Sequence, residues 1–239
     1  SVSAHLADWA ARLKPEQLDA AAERAAIDTV IDVLGLCVAA RGTDYTLATM
    51  DAFGEPGECT VIAQNRRLSP YAAAAINGTA AQGEDFDNTF EGCPVHSGAV
   101  IVPAALAIAE QAKANGPRTV LAMAAGIEVM CRLGLIADKS VHKAGFHPTA
   151  VLGTFAVTVS AAIVKGLGAP AITDGLGVAG SMASGIIEYL ADASSTKRLH
   201  AGWAAQSGLR AAAMGGAGFS GPGTVFVGTH GFFSAFAPS

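Results

Sequence analysis

Three short polar segments interrupt a strongly apolar sequence, and each holds side chains able to move protons or hold an anion. The first, Gly83 to Ser97, reads GEDFDNTFEGCPVHS. Its carboxylates Asp85, Asp87 and Glu91, hydrogen-bonding Asn88 and Thr89, and His96 are the ingredients of a general acid/base site, because imidazole exchanges protons near neutral pH. The second, Val141 to Pro148, carries His142, Lys143 and His147. His142 and Lys143 read as surface residues. A histidine directly before a proline that opens a helix, as His147 does, lies beside unpaired backbone N–H groups, a favourable place for an anion. The third, Ser194 to His200, reads SSTKRLH. There Thr196, Lys197, Arg198 and His200 gather hydroxyls and cations into a cradle suited to a carboxylate. Taken one at a time, each segment serves equally well as a solvated turn or a helix cap.

Other chemistries are poorly supported. Gly175, Gly177 and Gly180 satisfy GxGxxG, but no strand precedes them, so tight helix packing explains them better than a dinucleotide. Cys93 and His96 have half a zinc spacing and no second pair, which argues against a structural metal. No P-loop or nucleophile elbow is present. Asn77-Gly78-Thr79 matches a glycosylation sequon but stands in a chain with no secretory signal, and reads as chance.

Behind the polar segments stands a helical scaffold. The 239 residues are 51% hydrophobic and only 6% aromatic, so the apolar mass is mainly Ala, Val, Leu and Ile, which suits closely packed helices. A net charge of −5 without a basic run excludes a nucleic-acid or anionic-membrane surface, so an anionic substrate needs a local cluster of cations. Cys37, Cys59, Cys93 and Cys131 are widely spaced, as in a reducing cytosol, and no signal peptide opens the chain; a cytoplasmic location follows as the expectation.

Periodicity and punctuation predict helices at Val2 to Leu13, Pro15 to Ala40, Ser69 to about Ala81, Gly98 to Lys113, Arg118 to Ile136, Pro148 to Lys165, Pro170 to Ser184 and Ala201 to Met214. In the second, Leu18, Ala22, Ala25, Val30, Val33, Leu34 and Cys37 mark one apolar face. Gly54 to Ser69 reads as a short hairpin. Gly145 to Val164 is long enough to span a bilayer but reads as a buried core helix. The Phe-rich tail beyond Gly215 reads as a packed irregular segment. The fold class is therefore all-α, with at most one small hairpin, over a single domain, 1–239.

In order and spacing these segments resemble the MmgE/PrpD family. The match runs from Asn77-Gly78 into Asp85-Phe86-Asp87-Asn88-Thr89, through His96-Ser97-Gly98, Gly145-Phe146-His147-Pro148 and Gly180 to Glu188, to Thr196-Lys197-Arg198-Leu199-His200-Ala201-Gly202-Trp203-Ala204-Ala205, closing at Gly231-Phe232-Phe233. The resemblance implies a helical domain that in relatives is joined by a smaller α/β domain, absent from this chain, and a homodimer without metal or organic cofactor. It implies active-site positions at Asp85, Thr89, His96, His147 and Lys197, with Arg198 and His200 as further substrate-binding candidates. The implied chemistry is a carbanion beside a carboxylate: a lyase, whether dehydratase or decarboxylase, acting on polycarboxylates such as methylcitrate or cis-aconitate. An epimerase of an aspartate-like dicarboxylate such as iminodisuccinate, and a non-catalytic dimerising helical scaffold, are the alternatives. Asn88 departs from a second consecutive Asp in many relatives, and Ala193 from a frequent Gly.

Overall fold

The computed structural model describes residues 1–238, which form twelve α-helices and one two-stranded ribbon. Helix α1 (Val2–Arg12) is followed by a 3-10 turn, Pro15–Gln17, and then by α2 (Ala20–Ala39). The continuous helix predicted from Pro15 is thus corrected. Leu18 is extended, and the Asp19 carboxylate accepts the Ala22 N–H, so a new helix starts at Ala20. The predicted single apolar face is corrected too. Ala26, Val33 and Cys37 are buried, whereas Ala25 and Leu34 are exposed, and Leu34 joins Ile27, Ile31 and Val38 on an outward stripe.

Helix α3 (Asp44–Ala52) has no counterpart among the predicted helices, because so short and polar a segment carries no clear apolar repeat. The expected hairpin is present: β1 (Pro56–Thr60) pairs antiparallel with β2 (Arg67–Leu68). Ser69 then caps α4 (Pro70–Gln82) by accepting the Ala72 N–H, with Pro70 in the first turn.

The remainder is α5 (Ser97–Ala112), α6 (Gly116–Ala137), α7 (Ser140–Lys143), α8 (Pro148–Lys165), α9 (Ala169–Met182), α10 (Tyr189–Asp192), α11 (Thr196–Gly216) and α12 (Phe232–Phe236). The boundaries of α5, α6, α8 and α9 fall within two residues of those predicted. Helix α11 starts five residues before the predicted Ala201, at Thr196. Lys, Arg and Leu are good helix formers, so the SSTKRLH segment is mostly the first turns of the helix rather than a loop ahead of it.

Helix α8 is the axis of the core. It and α6 are long and apolar enough to cross a membrane, but 94% of the α8 window is buried against other helices, as a core helix requires. Its Thr154 and Thr158 hydroxyls donate back to the Ala150 and Thr154 carbonyls, which removes the cost of burying them. The tail packs on the middle of α8, where the Phe226 and Phe232 rings lie tilted and edge-on against Phe155 at ring-centroid distances of 5.1 and 5.3 Å.

The packing that matters most for the site is α4 against α11, which run antiparallel. Gly202 faces Ala75 and Thr79, and Gly78 faces Gly202, so closely that a Cβ on Gly202 would lie 2.0 Å from the Ala75 carbonyl oxygen. Bare glycine lets the two backbones touch. The C-terminal end of α4 thereby comes to lie beside the first turn of α11.

Candidate functional site

That register joins the first and third polar segments. Lys197, in the first turn of α11, donates to both Asp85 oxygens at 2.6 Å. Next to it, the Arg198 Nε donates to the Gly83 carbonyl at 2.9 Å, and its guanidinium lies 5.1 Å from the Tyr45 ring centroid. The loop after α4 is thus held twice by α11. Asp85 itself has φ 61°, a left-handed conformation that Asp tolerates better than most residues and that is common where structure holds a functional group in place.

His96 is the N-cap residue of α5. Its backbone N–H donates to Thr149 Oγ1 of α8, and the Gly98 N–H donates to the Asn88 side chain at 3.0 Å, so α5 is capped from within the polar loop. The His96 ring lies between carboxylates. Its Nδ1 is 3.3 Å from Asp87 Oδ2 and 3.3 Å from Thr89 Oγ1, and its Nε2 is 3.9 Å from Asp85 Oδ1. The Asp87 side chain is 0% exposed and that of Asp85 54% exposed, so one carboxylate is buried against the ring and the other is open to solvent.

His147, the N-cap of α8, completes the cluster. Its ring centroid is 6.3 Å from that of His96 and 5.2 Å from that of His200. The Nδ1 atoms of His147 and His200 are 3.1 Å apart, so one donates a proton and the other accepts it: the two rings take opposite tautomers there. Burial, and then the nearby positive charge that His200, His96 and Lys197 can carry, push the His147 pKa far below its ordinary value. Burial lowers that of His200 as well. Both rings are neutral at neutral pH. The backbone of this corner is tied by His147 N–H to the Gly185 carbonyl and Ile187 N–H to the Gly145 carbonyl.

The structure therefore gathers Asp85, Thr89, His96, His147 and Lys197 into one cluster. Arg198 and His200 take up different positions: Arg198 braces the loop, and His200 backs His147. One residue at the site was not among the sequence candidates, and another was named there without a role of its own. Tyr189 of α10 stacks edge-on against both His147 and His200 at 5.9 and 5.6 Å, and burial followed by the Asp85 charge raises its phenol pKa. Its place just after Glu188, at the end of the GSMASGIIE segment, was the available signal. Asp87 stood in plain view, but nothing in sequence distinguished a buried carboxylate from its exposed neighbours.

Asp85, Asp87 and His96 offer ligand atoms within 4.8 Å of one another, a set that by type could hold one small cation. The Lys197 ammonium already supplies positive charge to Asp85. The chemistry on view is acid/base. A neutral imidazole faces a lysine and a second histidine, and α5, α8 and α11 all bring their N-termini to the same place, where helix dipoles favour an anion. Fold and cluster define a helical domain in which titratable side chains gather at the N-terminal ends of three helices.

Comparison with known proteins agrees. Residues 4–239 match the MmgE/PrpD N-terminal domain. A cis-aconitate decarboxylase of Aspergillus terreus (strain NIH 2624 / FGSC A1156) is 31% identical over 220 residues, covering 87% of this chain and 44% of its own length. The human cis-aconitate decarboxylase is 34% identical over 180 residues, 72% of this chain and 37% of its own. A cis-aconitate decarboxylase-like protein of Aspergillus oryzae is 28% identical over 246 residues, 98% and 50%. The chain belongs to the MmgE/PrpD family. It spans about half, or less, of the length of these relatives.

Proposed function

We propose that this chain is the helical part of a lyase that forms a carbanion beside a carboxylate of a small di- or tricarboxylate, with decarboxylation of a cis-aconitate-like substrate as the favoured reaction. The observation carrying this reading is the meeting of Lys197, His96 and His147 in one cluster around Asp85, in a chain whose relatives bear the name cis-aconitate decarboxylase. Bond cleavage next to a carboxylate leaves an electron pair that spreads onto its oxygens, and preorganised cations and N–H donors stabilise that charge best. Lys197 and His96 supply them here, and Thr89 hydrogen-bonds the substrate.

His147 carries the proton. Where the broken bond is C–H, its neutral ring accepts the proton. Where carbon dioxide leaves, an imidazolium that has first taken a proton from solvent gives it to the carbanion. Burial disfavours that imidazolium, which makes it a strong donor. Asp85 holds Lys197 in place.

The test is to incubate the full-length protein with cis-aconitate, 2-methylcitrate and iminodisuccinate in deuterium oxide and follow products by NMR. Loss of carbon dioxide with uptake of one deuterium is the expected result. Release of water would reassign it as a dehydratase, and exchange without net product as an epimerase. Neither exchange nor product with any of the three would overturn the enzymatic reading and leave the dimerising scaffold.

A further inference from the structure

Asp87 has no role in the chemistry described so far, yet it is the most unusual carboxylate in the chain. Its side chain is 0% exposed, and neither oxygen has a hydrogen-bond partner among the described residues. Its one charged neighbour in ion-pair range is His96, whose Nδ1 lies 3.3 Å from Oδ2. Burying a carboxylate costs several kcal/mol unless a donor or counter-charge faces it. A surface loop of this composition could avoid that cost by turning the side chain outward, as Asp85 two residues earlier does.

The groups around the His96 ring divide by side. Asp87 and Thr89 flank Nδ1, while Nε2 faces the exposed Asp85 carboxylate that Lys197 holds. An ionised carboxylate only accepts hydrogen bonds. A proton on Nδ1 would lie 3.3 Å from both Asp87 Oδ2 and Thr89 Oγ1, whereas a bare Nδ1 would face the Asp87 carboxylate with no proton between them. The partner of one ring nitrogen sets what the other can do, as buried carboxylates set the tautomer of metal-bound and catalytic histidines.

We propose that Asp87 is a positioning residue: it accepts the Nδ1–H of His96 and holds the ring in one orientation, so that Nε2, when it also carries a proton, donates it to the carboxylate of the substrate. This rests on the reading of His96 as a substrate-facing group, but the tautomer can be measured without any turnover.

The experiment uses full-length protein with ¹⁵N-labelled histidine, the His96 signals being assigned by their loss in His96→Gln. Long-range ¹H–¹⁵N correlation spectra report which ring nitrogen carries the proton. In the wild type the His96 Nδ1 should be protonated, and in Asp87→Asn its shift should move toward a mixture of tautomers. In cis-aconitate turnover, the same variant should lose kcat by about 10- to 100-fold, the usual effect of removing a second partner of this kind, with KM changed far less. A wild-type His96 with its proton on Nε2 and a bare Nδ1 would overturn the proposal, and this result needs no variant to fold. A folded Asp87→Asn with unchanged ring signals and unchanged kcat would overturn it as well. Should wild-type protein turn over no polycarboxylate, the proposed function fails while the spectrum still decides the role of Asp87.

Discussion

Lys197 reaches across 112 positions of sequence to place its ammonium 2.6 Å from both oxygens of Asp85. The pair is partly exposed, with side-chain accessibilities of 28% and 54%, so it contributes only about 0–1 kcal/mol to stability. Its value is positional. Lys197→Ala in the full-length enzyme should leave the melting temperature nearly unchanged and cut kcat with cis-aconitate by about 100- to 1,000-fold, the range for removing one preorganised charge stabiliser. Near-normal turnover would remove Lys197 from the mechanism.

His147 faces a sharper test because its proposed work is proton transfer. His147→Gln keeps the size and polarity of the side chain but cannot carry a proton through the ring. Turnover should fall by about 100- to 10,000-fold, the contribution of a positioned acid or base. Circular dichroism and urea denaturation should remain close to wild type. If kcat survives within a few-fold, another group is the proton carrier.

The buried pair His147 and His200 also makes stability depend on pH. Burial lowers the pKa of both below the ordinary 6.5, so on acidification the unfolded chain takes up protons before the folded protein does. Stability therefore rises with pH wherever the unfolded state binds more protons. The contribution is fully present above pH 6.5 and is lost as pH falls toward the depressed values. Urea midpoints measured from pH 7.5 down to about 5, above the ordinary carboxylate range, should fall steadily. In His200→Phe that decline should be shallower, and an unaltered slope would contradict the neutral buried pair.

A fourth prediction concerns the helix contact that sets the register. A methyl group on Gly202 would strike the Ala75 carbonyl at 2.0 Å, with the Thr79 hydroxyl 2.5 Å away. Gly202→Ala should destabilise the protein by about 3 kcal/mol and, by pushing α11 away from α4, lower activity in the fraction that folds. Gly35→Ala in α2 is the control, since nothing lies within 4 Å of the added atom; it should stabilise by about 0.4–1 kcal/mol. Equal effects of the two substitutions would mean that the α4–α11 contact is looser than described.

Much of this architecture was readable in advance, for reasons local to each segment. Pro70 and Pro148 announce α4 and α8 because proline suits the first helical turn, and Lys113 and Gly166 end α5 and α8 in left-handed conformations. Less readable were α3, whose nine residues carry no strong apolar repeat, and the true start of α11, where polar residues suit a helix and a turn alike. The apolar residues of α2 were visible too, but a stripe in sequence does not say which side a neighbour covers. Among the candidate residues, charge and hydrogen-bonding type marked the cluster, Asp87 included, but gave no sign that Asp87 is buried and left Tyr189 unremarked.

By itself, then, the amino-acid order determined which stretches coil, where they stop and which side chains are chemically able to act, because these depend on backbone preferences and residue type within a few positions. Only the tertiary structure decided which of those side chains act together. Contact between two glycines, Gly78 and Gly202, sets Lys197 against Asp85. Burial, a property of the whole packed assembly, turns His147 and His200 into neutral rings, and hides one loop carboxylate while exposing another two residues away.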